Sequence, residues 1–463
     1  TDMKKIFSLA MAACFLCAGA SAQTIKPFQD GERAVFLGNS ITDGGHYHSY
    51  IWLYYMTRFP NMNIRVFNGG IGGDTAGDML ERLDGDIFCL EPTTLMVTFG
   101  MNDSGYFEYN GDNPKAFGEQ KYQESVSNFD KMAARFKELH GTRLVMVGTS
   151  PYDETVQMKD NTPFRTKNET IKRLVAYQKQ VAAENGWEFT DWNEPMVAIN
   201  QREQAKDPGF TLCGSDRIHP DNDGHMVMAY LFLKAQGFAG KPVAEMELDA
   251  RARKAVKAEN CSLSNIERNG RDFSFDYLAE ALPYPLDTIP RGWMQRKSQA
   301  DATKLVPFMD EMNQELLKVS GLKAGNYKLL IDGQEVNTYT AAELEKGVNL
   351  AAETKTPQYQ QALAVMHLNE IRWEIERTMR EYAWTQFSFF QKHGLLFAND
   401  RKALDVMDEY VEKDGWVKGH RDNYTRHMFQ TVRDARQEEM DVMIDKIYEI
   451  NKPVTRRVVL RRM

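Results

Sequence analysis

The sequence predicts an α/β protein, with a parallel five-stranded sheet between helices in its first half and a small β element plus long helices in its second. Three observations lead there. From Arg33 to Gly237, apolar runs rich in Val and Phe alternate with longer amphipathic stretches. The runs lack polar alternation, as strands buried on both faces do. Past Lys241-Pro242 the pattern changes to strand-like segments around Gly turns and then to apolar residues at helical spacing.

The five strands are read at RAVFLG (33–38), IRVFNGG (64–70), TTLMVTFG (93–100), RLVMVGTSP (143–151) and WEFTDW (187–192). Helices are expected between them, from His48 to Phe59, Thr75 to Leu90, Gln120 to His140 and Thr166 to Asn185, with a last one from Asp221 to Gln236. In such a sheet ligands sit at the carboxyl ends of the strands. Further on, CSLSNIERNGRDFSFDY (261–277) and GLKAGNYKLLIDGQEV (321–336) read as short strands. From Gln358 to His393, Leu368, Ile371, Ile375, Met379 and Tyr382 fall on one helical stripe, and a further helix is expected from Asn423 to Ile450. The aromatic residues of REYAWTQFSFF (380–390) read as core, Trp293 as a packing anchor, and the basic segment TRRVVLRR (455–462) as a solvated terminus.

A chain of 463 residues exceeds one ordinary core, so two domains are expected, over residues 23–240 and 241–463. Residues 1–22 have the pattern of a signal peptide: Lys4 and Lys5, an apolar run, then Ala20-Ser21-Ala22 before Gln23. That predicts a secreted or periplasmic protein, with lipid attachment at Cys14 as the alternative. A net charge of −8 argues against nucleic acid and anionic membrane surfaces as partners. No segment is apolar for long enough to span a bilayer. Cys89, Cys213 and Cys261 allow at most one disulfide, too few for a disulfide framework. Oligomeric state is left open.

The unusual residues fall after the strands, as Gly38-Asn39-Ser40, NGGIGGDT (68–75) and GMND (100–103), and in the loop before the last helix of this half, CGSDRIHPDNDGH (213–225). Acyl transfer from an ester needs a nucleophile, a base, a group that orients the base, and oxyanion donors. Ser40 supplies the nucleophile and His219 the base, with Asp216 three residues away. Gly73 offers a backbone N–H and Asn102 a side-chain amide. Asp74 and Thr75 read as caps of the following helix. Cys213, with no basic neighbour in sequence, reads as a packed residue. His46 and His48 in GGHYH lack the carboxylate or Cys companions of a metal site, and with Tyr47 they are read as a substrate-binding rim beside Ser40.

GNSIT, NGGIGGDT, GMND and DRIHP, in this order and spacing, resemble the four blocks of the SGNH (GDSL-type) hydrolases over about residues 33–237. The resemblance implies a flavodoxin-like sheet and a triad of Ser40, His219 and Asp216. It also implies an oxyanion hole from the Ser40 backbone, Gly73 and Asn102, and no metal or other cofactor. Asn39 stands where many members carry Asp, and Ile41 where the commonest motif has Leu. The expected activity is hydrolysis of an O-acyl ester, acetyl above all, on a carbohydrate, so the expected partner is a small-molecule or polysaccharide ester. The alternatives are a lysophospholipase or arylesterase of the same fold, and a non-catalytic glycan-binding protein with a vestigial site.

Overall fold

The computed structural model describes residues 24–463. The expected signal peptide, its cleavage site and Cys14 lie outside the described residues. Five parallel strands, β1 (Arg33–Gly38), β2 (Arg65–Gly70), β3 (Thr94–Val97), β4 (Arg143–Gly148) and β5 (Glu188–Asp191), form one sheet in the order β2-β1-β3-β4-β5. This is the flavodoxin-like order, in which the direction of winding reverses between β1 and β3 and leaves a crevice at their carboxyl ends.

Seven helices cover the sheet: α1 (Ser40–Asp43), α2 (Tyr47–Arg58), α3 (Ala76–Glu81), α4 (Pro114–Phe136), α5 (Lys167–Asn185), α6 (Asn193–Gln204) and α7 (Asn222–Ala235). Alternate residues of β1 serve opposite faces. Ala34 and Phe36 join a core with α2, α6 and α7, while Val35 and Leu37 join a core with α3 and α4. Two-faced burial is why the strands read as unbroken apolar runs. The stretch read as one helix from Thr75 to Leu90 is α3 followed by a π turn and a 3-10 turn. Helix α6 follows β5 directly, with Trp192 at its N-cap, and is an element beyond those the sequence pattern predicts.

Residues 244–349 build a two-sheet sandwich. One sheet holds β6 (Ala244–Asp249), β7 (Lys254–Glu259), β10 (Glu315–Ser320) and β13 (Val348–Asn349). The other holds β8 (Cys261–Asn269), β9 (Asp272–Ala279), β11 (Asn326–Ile331), β12 (Gln334–Thr340) and a strand from the far end of the chain, β14 (Arg456–Arg462). Two short helices, α8 (Phe308–Met312) and α9 (Ala341–Lys346), flank this unit. Inward residues Met246, Leu248, Phe273, Phe275, Leu317, Leu329 and Leu460 form its core.

The segment 455–462 is therefore not a solvated terminus. It pairs antiparallel with both β9 and β11, with Val458 and Leu460 fully buried. The alternate arginines meet carboxylates on β9, Arg457 to Asp276 at 3.0 Å and Arg461 to Asp272 at 2.9 Å.

Between the sandwich and β14 lie α10 (Pro357–Trp384), which continues as a π and a 3-10 turn to His393, α11 (Arg401–Tyr410), α12 (Gly415–His427) and α13 (Gln430–Ile450). The helix expected from Asn423 to Ile450 is thus two, broken around Met428-Phe429. This second half is fastened to the first. Val365, Met366, Ile444 and Ile447 belong to the same core as α2 and α7. At the end of α2, Arg58 donates to the carbonyls of Lys241, Pro242 and Met312 at 2.8–2.9 Å. Buried Glu315 of β10 accepts from Tyr277 of β9 and from Gln358 of α10, both at 2.9 Å.

The buried side of α10 differs from the expected stripe. Ile371 is 42% exposed, whereas Asn369, Arg372 and Arg380 are buried. The helix lies against polar strand ends and loops, so its contact face carries hydrogen-bonding groups. Among the described residues no helix is long and apolar enough to cross a membrane.

Candidate active site

Ser40 is the first residue of α1, directly after β1, with Asn39 capping the helix through Ile41 N–H at 3.0 Å. Its Oγ lies 2.8 Å from His219 Nε2, and His219 Nδ1 lies 2.6 Å from Asp216 Oδ2. Asp216 Oδ1 accepts from the backbone N–H groups of Ile218 and His219, each at 2.9 Å. Burial pushes the Asp216 carboxyl up, but the bond from His219 and the backbone donors outweigh it and hold the group below the usual carboxylate range. An ionised Asp216 can only accept, so Nδ1 carries the ring proton and Nε2 presents a lone pair to Ser40.

The loop that carries both residues is fixed from beneath. Gly214 has φ +68°, and a Cβ there would fall 1.9 Å from the His219 carbonyl oxygen, so glycine is required. Arg217, between Asp216 and His219, also has positive φ, and its side chain is buried. It donates to the carbonyls of Asp153, Val156 and Asn161 at 2.6–3.0 Å and to Asn161 Oδ1 at 3.0 Å. A left-handed residue costs on the order of 1 kcal/mol, which four hydrogen bonds offset. The sequence signal for Arg217 is an arginine lodged inside the four-residue block that carries Asp216 and His219.

The loops after β2 and β3 adjoin Ser40 because β1 lies between those strands. Gly73 has φ +87°, and its N–H meets no protein acceptor among the described residues; the same holds for Ser40 N–H. Asn102 receives Tyr106 Oη on its Oδ1 at 2.5 Å and donates one amide hydrogen to the Asp74 carbonyl at 2.8 Å. Its orientation is thereby set, with a second hydrogen left over. Asp103 joins the two loops by accepting from Ala76 N–H, Gly100 N–H and Ser125 Oγ at 2.8–3.1 Å. Lys167 donates to Met101 O, Ser104 Oγ and Gly105 O, each at 2.6 Å, and burial lowers its pKa well below the ordinary lysine range. Tyr106 and Lys167 were not picked out from sequence, since neither sits in a recognisable block.

Thr75 caps α3 in a reciprocal capping box with Asp78. Asp74 is not a cap. It pairs with buried Arg82 at 2.6 Å, and burial raises its pKa to about 7 despite that partner. Arg82 also pairs with Asp86, which Arg380 of α10 grips at 2.8 and 2.9 Å. A second tie from α10 is Arg377 to Asp43 Oδ1 at 3.0 Å, whose Oδ2 accepts Gly72 N–H at 3.2 Å.

His46, Tyr47 and His48 do not form a rim. Each is at most 1% exposed, because α2 starts there and enters the core beneath α10. His46 bonds Glu370 at 2.9 Å and stacks on Trp373 with ring centres 3.8 Å apart. Tyr47 Oη meets Thr42 Oγ1 at 2.7 Å. His48 Nε2 lies 3.0 Å from the Thr42 carbonyl, and burial lowers its pKa to about 4. Trp293, read as an anchor, is 82% exposed on a loop where Arg291 exchanges hydrogen bonds with Asn222 and Gln295 donates to Pro220, the residue after His219. Cys213 is buried and donates to the Pro151 carbonyl at 3.1 Å; Cys89, Cys213 and Cys261 are unpaired. Among the described residues no three His, Cys, Asp or Glu side chains group as a metal site would need.

Residues 36–227 match the model of the GDSL-like lipase/acylhydrolase family, and residues 363–452 match that of the diltiazem deacetylase C-terminal helical domain. The solved structure of a gut microbial diltiazem-metabolizing enzyme is 74% identical, covers 95% of this chain and 100% of that one, and superposes with a TM-score of 0.94. The chain belongs to the GDSL-like lipase/acylhydrolase family. It is a carboxylic ester hydrolase. An acetylxylan esterase from Geobacillus stearothermophilus is 27% identical over 226 residues, 45% of this chain and 95% of that protein. In this GDSL-like hydrolase, the two matched family regions flank residues 228–362, which hold most of the sandwich.

Proposed function

We propose that the chain is a serine acetylesterase working through Ser40, His219 and Asp216. The observation that carries this reading is the unbroken relay from Ser40 Oγ to His219 at 2.8 Å and on to Asp216 at 2.6 Å. Ser40 Oγ attacks the ester carbonyl while His219 Nε2 takes its proton, and Asp216 stabilises the imidazolium that forms. Ser40 N–H, Gly73 N–H and the second Asn102 amide hydrogen receive the oxyanion. His219 returns the proton to the departing alkoxide, the alcohol leaves, and a water activated by His219 then releases the carboxylic acid from the acyl-enzyme.

Acetyl as the acyl group is supported by the acetylxylan esterase relative and by the match of residues 363–452 to the diltiazem deacetylase C-terminal helical domain. For the alcohol half, 74% identity running through the helical domain supports diltiazem as a substrate. The second reading, an acetylated carbohydrate, is supported by the Geobacillus relative, which parallels the catalytic half alone. The pattern of residues 1–22 supports a secreted or periplasmic location.

The test is acetate release from diltiazem and from acetylated xylooligosaccharides by the purified protein and by Ser40→Ala and His219→Ala. Both variants lose hydrolysis and keep the parental melting temperature, since neither residue holds the core. Near-native turnover by Ser40→Ala would overturn the mechanism.

A further inference from the structure

We propose that Trp416, on α12 of the helical region, is the docking platform for a flat ring in the alcohol half of the ester, an inference that rests on the esterase reading of Ser40. Its indole is 52% exposed, although the helix that carries it buries Val417, Tyr424 and His427. The ring stands against the oxyanion loop. A Cβ placed on Gly72 would lie 3.0 Å from Trp416 Cζ3 and 3.3 Å from Cη2. Gly72 precedes Gly73, whose N–H meets no protein acceptor among the described residues, and Gly72 N–H is held by Asp43, three residues beyond Ser40. An ester whose carbonyl oxygen reaches Gly73 lies one residue from the glycine that this indole covers, and with acetyl as the acyl group only its alcohol half can carry a ring.

The ring is also preset. It lies 12° from parallel with Trp384 at 5.8 Å and with His420 at 6.1 Å, and Trp384 stacks on His420 at 4.1 Å. Burial lowers the His420 pKa, so the stack stays uncharged at neutral pH. At the start of α12, Asp414 accepts Trp416 N–H at 2.8 Å and fixes the backbone. A rigid indole leaning on a glycine, with much of its surface in solvent, offers flat apolar area at little entropic cost, the usual way aromatic rings are recognised.

The test compares α-naphthyl acetate, diltiazem and ethyl acetate as substrates for the parent, Trp416→Ala and Trp416→Phe. Trp416→Ala raises KM for the two ring esters about tenfold relative to ethyl acetate, and Trp416→Phe recovers most of that. A binding readout independent of turnover uses calorimetry of α-naphthol with Ser40→Ala, where adding Trp416→Ala weakens Kd by a similar factor. An unchanged ring-to-ethyl ratio, or an equal loss on all three esters, would overturn the platform and leave Trp416 as a brace of the Gly72 loop. Retained hydrolysis in Ser40→Ala would instead count against the esterase mechanism, while the α-naphthol titration still reports on Trp416.

Discussion

Arg380→Met removes one arm of a buried charge cluster that joins the helical region to the catalytic sheet. Arg380 holds Asp86 through two parallel bonds of 2.9 and 2.8 Å and donates to the Gly70 carbonyl at 2.9 Å. Burial pushes the Asp86 carboxyl up, but Arg380 and Arg82 more than reverse it, so its pKa falls below the ordinary carboxylate value. Breaking a buried pair from one side costs about 3–5 kcal/mol. Arg82 still faces Asp86 in the variant, which favours the lower end, about 3 kcal/mol. For a unit near 200 residues that corresponds to a fall in Tm of roughly 6–12 °C, read by calorimetry at pH 7. Because the folded pKa is depressed, the contribution is present above about pH 4 and is lost as pH falls through the folded value. The difference between parent and variant therefore narrows in acid. In an Asp86→Asn background, Arg380→Met costs much less, which a double-mutant cycle measures directly. A Tm within about 2 °C of the parent at pH 7, with no coupling in the cycle, would refute the reasoning.

Asn102→Ala lowers kcat by about two to three orders of magnitude with little change in KM, since the lost amide acts on the charged intermediate; steady-state kinetics on α-naphthyl acetate check this. Glu315, whose pKa burial raises to about 7 against the bonds from Gln358 and Tyr277, contributes stability below the unfolded value near pH 4.3 and loses it as pH rises through 7. Glu315→Gln therefore gains about 3 kcal/mol at pH 8 and nothing near pH 4, as denaturation at the two pH values measures. Leu460→Ala, at a fully buried position in β14, costs about 2–5 kcal/mol and lowers Tm, although the residue is far along the chain from the catalytic block.

Much of the catalytic half was legible because its information is local. Strands covered on both faces leave continuous apolar runs; Ser40, Gly73 and Asn102 sit in short motifs after strands, and the Asp216–His219 pair in one short motif before α7. The second half was harder to read because its partners are distant. Arg457 and Arg461 look like a solvated basic run until Asp276 and Asp272, nearly two hundred residues earlier, are placed beside them. The α10 stripe was misplaced for a related reason. A hydrophobic period finds apolar contact faces, whereas this helix meets Asp86, Asp43 and the Ser49 carbonyl and answers them with Arg380, Arg377 and Asn369. Two histidines near a nucleophile suggest a solvent-facing rim, whereas α10 contributes the Glu370 and Trp373 that bury His46.

The position of β14 has a consequence for how the molecule is made. Strands β9 and β11 do not pair with each other; β14 separates them. Synthesis runs from the amino end, so the α/β half can collapse while this sheet still has an open slot between two edges. Until residue 462 emerges, Phe275 and Leu329 line an unfilled groove, and those edges are templates for any strand that arrives first. The arginines of β14, matched to Asp272 and Asp276 of β9, favour the correct strand for the slot. Completion of the sandwich is thus timed by β14, after the intervening helices that cover the catalytic half have been synthesised.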